Sequence, residues 1–201
     1  MRQLSVFILG LLLFVSCGSR HKETIWKNGP GTRAELRYAR NITIERANGY
    51  TVVRLINPWK QNAILHTYYL VDRDSRVDIP DDGTIVTVPL RRSVVFTTAH
   101  ASLLEMLHAQ KAIAGVADLK YMVIPDIQKR TRLKDGIADC GNAMQPDVER
   151  IIDLHADAIL LSPFENSGGY GRLEETGIPI IECADYMERS ALGRAEWMKF
   201  Y

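Results

Sequence analysis

The chain is poor in cysteine: Cys17, Cys140 and Cys183 are its whole complement. Three are too few for a disulfide framework, and no CxxC pair is present to hold zinc. Phosphate-cradling glycine loops are missing as well. Gly29-Pro30-Gly31 neither follows a strand nor opens a predicted helix, so it is no dinucleotide fingerprint. Ser167-Gly168-Gly169-Tyr170-Gly171 lacks the lysine and the spacing of a P-loop. There is no GxSxG elbow. With a net charge of +1 and no basic block, nothing points to nucleic acid as a partner. No apolar run reaches the roughly 20 residues needed to cross a bilayer as a helix.

What is there begins with an address. Met1-Arg2-Gln3 gives a short positive start and 4–15 is nearly all apolar, as in a secretory signal. The run closes on Phe14-Val15-Ser16-Cys17-Gly18, which resembles the bacterial lipobox. That resemblance implies cleavage after a signal peptide of residues 1–16 and lipidation of Cys17. A lipid anchor would hold an exported protein at a membrane surface, with the polar stretch 18–27 as tether. The remainder has an ordinary globular balance, 46% hydrophobic and 24% charged, at a length that allows one domain and a small extension.

Residues 17–90 read as tether and β-rich extension. Asn48-Gly49 between two strand-like runs in 39–56 is a strong hairpin signal. The segments 64–71 and 84–89 continue strand composition, so a small antiparallel layer is expected. Trp59, Tyr68 and Tyr69 offer an aromatic surface, although core or edge packing explains them better.

The stretch 91–107, RRSVVFTTAHASLLEML, organises the rest of the chain. Val94, Val95 and Phe96 form an apolar strand, Thr97-Thr98-Ala99-His100 a polar loop, and Ser102 with Glu105 has capping-box spacing. Two explanations of the tetrad stay open: a ligand-facing loop, or polar residues that merely precede a helix. Further strands are expected at 112–116, 137–141, 158–161 and 178–181. A helix opens at Pro146-Asp147, with Val148, Ile151, Ile152 and His155 on one face. Gly177 is a C-cap. Repeated βα order predicts an α/β lobe over 91–189, a mainly parallel sheet with helices on both faces. Residues 190–201 begin another helix.

The chemistry on offer is modest. Ser102, His155 and Asp185 could be assembled into a triad, but Ser102 is better explained as a cap, and no catalytic residue is assigned. His100, His108 and His155 lack paired ligand spacing, so no metal site is assigned. Thr98, His100, Tyr121, Asn142, Glu165 and Tyr186 remain as polar and aromatic residues of strand-end loops, a set that suits binding better than catalysis.

The lipoprotein signal, together with VVFTTAHASLLEML, GVAD, DCGNAMQPDVERIIDLHADAILLS, GIPIIE and ALGRAEWMKFY, resembles the periplasmic binding proteins of iron-siderophore, haem and cobalamin ABC importers. The resemblance covers 91–201, and the run from Pro146 to Leu161 carries most of it. It implies one lobe of a two-lobe receptor for a ferric siderophore, haem or cobalamin as cargo, with no cofactor of its own. A permease with its ATPase subunits would be the partner, and Glu149 the acid that docks on permease arginines. It further implies that 190–201 starts the inter-lobe helix, so the second lobe is not contained here and this chain would bind cargo weakly. The runner-up is an exported structural or interaction lipoprotein without transport activity. Cys140 and Cys183 are expected at the ends of strands with one strand between them, beyond disulfide reach.

Overall fold

A computed structural model describes residue 31, residues 33–165 and residues 169–201; the signal segment and Cys17 lie outside them. Among the described residues no helix is long and apolar enough to cross a membrane.

The N-terminal sheet contains β1 (Ile42–Ala47), β2 (Tyr50–Ile56), β3 (Ile64–Asp72) and β4 (Thr84–Val88), in that spatial order. β1 and β2 are joined by the Asn48-Gly49 turn, with Gly49 at φ +86°, where a Cβ would be disfavoured. The expected all-antiparallel layer is corrected at its far edge, because β4 pairs parallel to β3. Residues 73–83 carry the chain back to the start of β3 rather than turning it in a hairpin.

The second sheet contains β5 (Ser93–Val95), β6 (Ile113–Val116), β7 (Ala138–Asp139), β10 (Ala158–Leu161) and β11 (Ile180–Glu182). Its order is β11-β10-β5-β6-β7 and every pairing is parallel. Successive residues of the short central strands face opposite ways, as the pleat requires. Val95, Leu160 and Ile181 pack on one side with Ala101 and Leu104 of α1 (Thr98–Met106), Ile127 of α2 (Pro125–Arg130) and Ile42, Val53, Leu55 and Tyr68 of the first sheet. Val94, Phe96, Ile159 and Leu161 pack on the other with Val148 and Ile151 of α3 (Val148–Asp153) and with Leu173. A tiny hairpin, β8 (Gly141–Asn142) and β9 (Gln145–Pro146), precedes α3.

Several local expectations are revised. Helix α1 starts earlier than the Ser102–Glu105 box suggests. Thr97 is the cap, extended at φ −129°, and its hydroxyl accepts from His100 N at 3.3 Å. Ser102 therefore sits mid-helix. At α3 the cap is Asp147, accepting from Arg150 N at 3.0 Å, and Pro146 belongs to β9 rather than the first turn. Ile152 and His155 face solvent, and His155 leaves the helix at φ +47°. His108 likewise stands past the end of α1 at φ +58°. Tyr68 and Tyr69 are fully buried, which removes them from any aromatic surface. Cys140 and Cys183 are free and buried. They follow β7 and β11, the two edges of the sheet, so about four strand spacings of about 4.8 Å separate them rather than two.

The two sheets are tied by polar contacts as well as by the shared core. The Tyr68 hydroxyl accepts from Glu182 N at 2.9 Å and donates to Ile180 O at 3.0 Å, taking the place of a neighbouring strand along the open edge of β11. Asp157 accepts from Arg91 N and Arg92 N and pairs with Arg73. The segment before β1 is held by two carboxylates. Glu196, at the end of α4 (Ala191–Glu196), accepts from the backbone N–H of Arg37, Tyr38 and Ala39 at 2.9, 2.6 and 2.7 Å. Buried Glu188 accepts from Arg40 N, Asn41 N and Trp197 Nε1.

Three backbone donors hold the Glu196 carboxyl down at about 2 from its ordinary 4.5. A depressed acid stabilises above its unfolded pKa, and the contribution is lost as pH falls from about 4.5 toward 2. Glu196→Gln removes the charge at any pH. Amide exchange at residues 37–39 is expected to accelerate about tenfold in the variant, while amides of β10 stay protected.

Candidate functional site

In a parallel sheet wound outward from β5, the chain lays down β6 and β7 on one side and then β10 and β11 on the other. The switch in winding lies between β5 and β10, the position at which open α/β folds hold their ligands. Thr97 and Thr98 border it from β5, and Ser162, Pro163, Phe164 and Glu165 from β10. The loops after β6, β7 and β11 complete the same rim.

All six predicted ligand-side residues fall on this carboxyl edge, but in different roles. Thr98 Oγ1 donates to Tyr121 O at 2.9 Å, joining the loops after β5 and β6. Tyr121 is exposed, with Lys120 Nζ 4.7 Å from its ring centroid. Asn142 is exposed and its side-chain oxygen accepts from Met144 N. Glu165 is exposed beside Phe164. Tyr186 is partly exposed and its hydroxyl donates to Pro163 O, tying the β11 loop to the β10 loop.

His100 is the correction. It lies in α1 rather than in a loop, and only 4% of it is exposed, so the tetrad is not a ligand-facing loop through to His100. Its ring makes a 2.6 Å hydrogen bond between Nδ1 and Thr97 Oγ1, and a 2.9 Å pair between Nε2 and Asp185 Oδ1. Tyr201 donates to the same Asp185 oxygen at 2.8 Å. Burial by itself would lower the imidazole pKa, but the bonds to Asp185 and Cys183 raise it to about 10. Asp185, despite burial, is held below the usual carboxylate range by His100 and Tyr201. The result is an imidazolium–carboxylate pair beneath the rim that fixes α1 against the loop after β11. Asp185 thus has a histidine partner, but it is His100 rather than the His155 of the conceivable triad.

Residues outside the predicted set shape the rim more than expected. Val123, Met144 and Phe164 are exposed there, Val123 at 77% and Met144 at 76%. Asp118, at the end of β6, sits at φ +49° and its N–H donates to Gly141 O at 2.7 Å. Its carboxylate has no hydrogen-bond or ion-pair partner among the described residues. Also among the described residues, no group of three or more His, Cys, Asp or Glu could hold a bare metal ion.

Glu149 lies away from this rim on α3. It is 69% exposed and its Oε1 pairs with Arg172 at 2.6 Å, which lowers the carboxyl pKa.

No family model matches the chain. It is 25% identical over 193 residues to one uncharacterized lipoprotein of Methanocaldococcus jannaschii, covering 83% of this chain and 45% of that protein. A second uncharacterized lipoprotein of the same organism is 26% identical over 157 residues, covering 76% and 38%. The chain thus spans less than half the length of these curated relatives. Among solved structures, it overlaps part of the petrobactin-binding protein YclQ of Bacillus subtilis at 25% identity and a TM-score of 0.36, covering 47% of this chain and 31% of that one. It also overlaps the periplasmic haem-binding protein HutB of Vibrio cholerae at 12% identity and a TM-score of 0.37, covering 55% and 44%.

The buried pair makes a signed prediction. A group whose pKa rises on folding contributes fully below its unfolded value, here about 6.5, and the contribution disappears as pH climbs through about 10. Between those limits, urea unfolding of the chain should show stability falling by up to about 1.4 kcal/mol per pH unit from this group. His100→Asn should flatten that slope and lower stability most at pH 6.

Proposed function

We propose that the chain is a ligand-binding lobe of a lipid-anchored, exported solute receptor that captures a chelated metal, either a ferric siderophore-like complex or a related macrocycle, for delivery to an ABC permease. The observation that carries this is the rim at the switch point. Hydroxyls, the Asp118 carboxylate, which has no partner among the described residues, and exposed aromatic side chains lie along it over a buried ion pair that keeps the loops in place. Binding sites in open α/β folds form at that edge, where apolar contact supplies affinity and a few polar groups supply orientation. The sequence resemblance over 91–201 supports the receptor class. The lipobox-like Cys17 and relatives named as lipoproteins support the anchor.

Glu149 is the proposed docking acid. A permease arginine there would replace Arg172, and a pair this exposed to water exchanges partners at little cost. The contact would guide orientation and on-rate more than affinity. The interaction-lipoprotein alternative drew on Trp59, Tyr68 and Tyr69 as an open surface. Two of the three are in the core and Trp59 is half-buried, so that support is gone.

Equilibrium dialysis of the full chain against ferric siderophores, haem and cobalamin tests the proposal. Saturable binding is expected for at least one, in the micromolar to millimolar range. Phe164→Ala combined with Tyr121→Ala should weaken it about tenfold or more, as the loss of two aromatic contacts implies. No saturable binding of any complex would overturn the receptor reading. In parallel, Cys17→Ala should release the chain from the membrane fraction of expressing cells.

A further inference from the structure

The rim has a charge pattern that narrows its cargo, and the inference drawn from it rests on the receptor reading above. The loops leaving the five parallel strands include 97–100, 117–123, 140–146, 162–165 and 183–186. None of these stretches contains an arginine. Their charged residues are Asp118, Lys120, Glu165 and the pair His100–Asp185. The pair cancels itself below the surface at 2.9 Å. Lys120 is engaged over the Tyr121 ring. What remains is Asp118, without a partner among the described residues, and Glu165, exposed. The other conspicuous features are the uncovered side chains of Tyr121, Val123, Met144, Phe164 and Tyr186.

We infer that this lobe selects metal complexes that carry no net negative charge and present an apolar face. An anionic chelate brought against such a rim would lose water and meet two carboxylates with one engaged ammonium to offset them. Recognition of carboxylates and catecholates uses arginine, whose planar fork pairs two oxygens at once, and none stands in these five stretches; Arg189 comes only after the last of them. In a ferric tris-hydroxamate, three monoanionic groups neutralise iron(III), so the complex is neutral or, with a pendant amine, cationic. Cyanocobalamin is neutral too. A ferric tris-catecholate keeps three negative charges and haem exposes two propionates. The first two share the selected chemistry, and the last two do not.

The full chain is dialysed in low salt against four probes: a linear ferric tris-hydroxamate with a pendant amine, cyanocobalamin, a ferric tris-catecholate and haem. At least one of the first two should bind at least about tenfold more tightly than either of the last two. Which of the first two it is identifies the source of the neutral chemistry. Glu165→Lys should narrow the preference about fivefold, as expected for reversing one exposed charge near the ligand. Asp118→Asn keeps a residue that tolerates positive φ and should narrow it in the same direction. Raising the salt should shrink these differences. Equal or tighter binding of the tris-catecholate or haem overturns the inference and leaves the receptor reading standing. Failure of all four to bind overturns both. Circular dichroism of each variant confirms that the comparison is between folded proteins.

Discussion

The structure depends on carboxylates near the chain's end receiving the backbone near its beginning. Glu188 and Glu196 take five consecutive N–H groups, from Arg37 to Asn41, none of which has a strand partner. Ala39 is buried, and there an amide without an acceptor would cost a few kcal/mol; at the more exposed positions water could serve instead. A carboxylate is suited to the task because its two oxygens accept several donors at once and its charge strengthens each bond. Lys199 supports the clamp, donating to Glu35 O at 2.6 Å and standing 3.7 Å from Glu196. Once the segment is fixed, β1 enters in register, Trp197 closes over the core, and the first sheet covers the face of the parallel sheet that α1 and α2 leave open. The extension and the lobe therefore share a core.

That construction explains how a rim can be rigid and yet display apolar side chains. The loops are braced from beneath by His100–Asp185–Tyr201 and from the side by Thr98 to Tyr121 and Tyr186 to Pro163. The hydroxyls of Thr98 and Tyr186 and the His100 ring are taken up in bracing, and the exposed surface is left to Phe164, Met144, Val123 and Tyr121 together with Asn142 and Glu165. In the proposed receptor such preorganisation would limit the entropy lost on binding. His100 belongs to the bracing. Its ring, 4% exposed, meets Thr97 and Asp185.

Much of the fold was legible because it is locally encoded. The four apolar residues 158–161 form β10 with the expected bounds, Asn48-Gly49 turns the hairpin, and Gly177 ends its helix at φ +68°. The failures share a cause. The Ser102–Glu105 spacing is a valid capping box, but Thr97, five residues earlier, has the extended backbone that a cap needs. The parallel partner of β3 could not be read because nothing in 73–83 distinguishes a crossover from an ordinary loop. Strand order cannot be read from single strands, which misplaced Cys183 relative to Cys140. His100 looked like a loop residue because its partner is 85 positions away, and the donors to Glu196 are more than 150 away. The outward apolar residues were missed for a further reason. Composition marks Val123 and Met144 as core, and they stand open because no element among the described residues lies above them.

The direction in which the chain enters bears on how such a rim would meet a membrane transporter. Arg33 bridges to Glu45, and Gly31 lies against Arg46, near the end of β1. β1 runs parallel to β3, whose end meets Asp157 through Arg73 at the amino edge of the parallel sheet. The first described residues thus lie on the side opposite the rim, and an anchor held close to them would turn the rim away from the membrane. Fourteen positions separate Cys17 from Gly31, and an extended chain of that length reaches up to about 50 Å. A domain of this size has a radius of gyration of about 15 Å, and so a diameter of roughly 40 Å. The reach exceeds the diameter. Anchorage at Cys17, if lipidated as proposed, would hold the lobe near the surface without dictating which edge faces it, and orientation would fall to contacts made on arrival, the role proposed for the exposed Glu149 on α3.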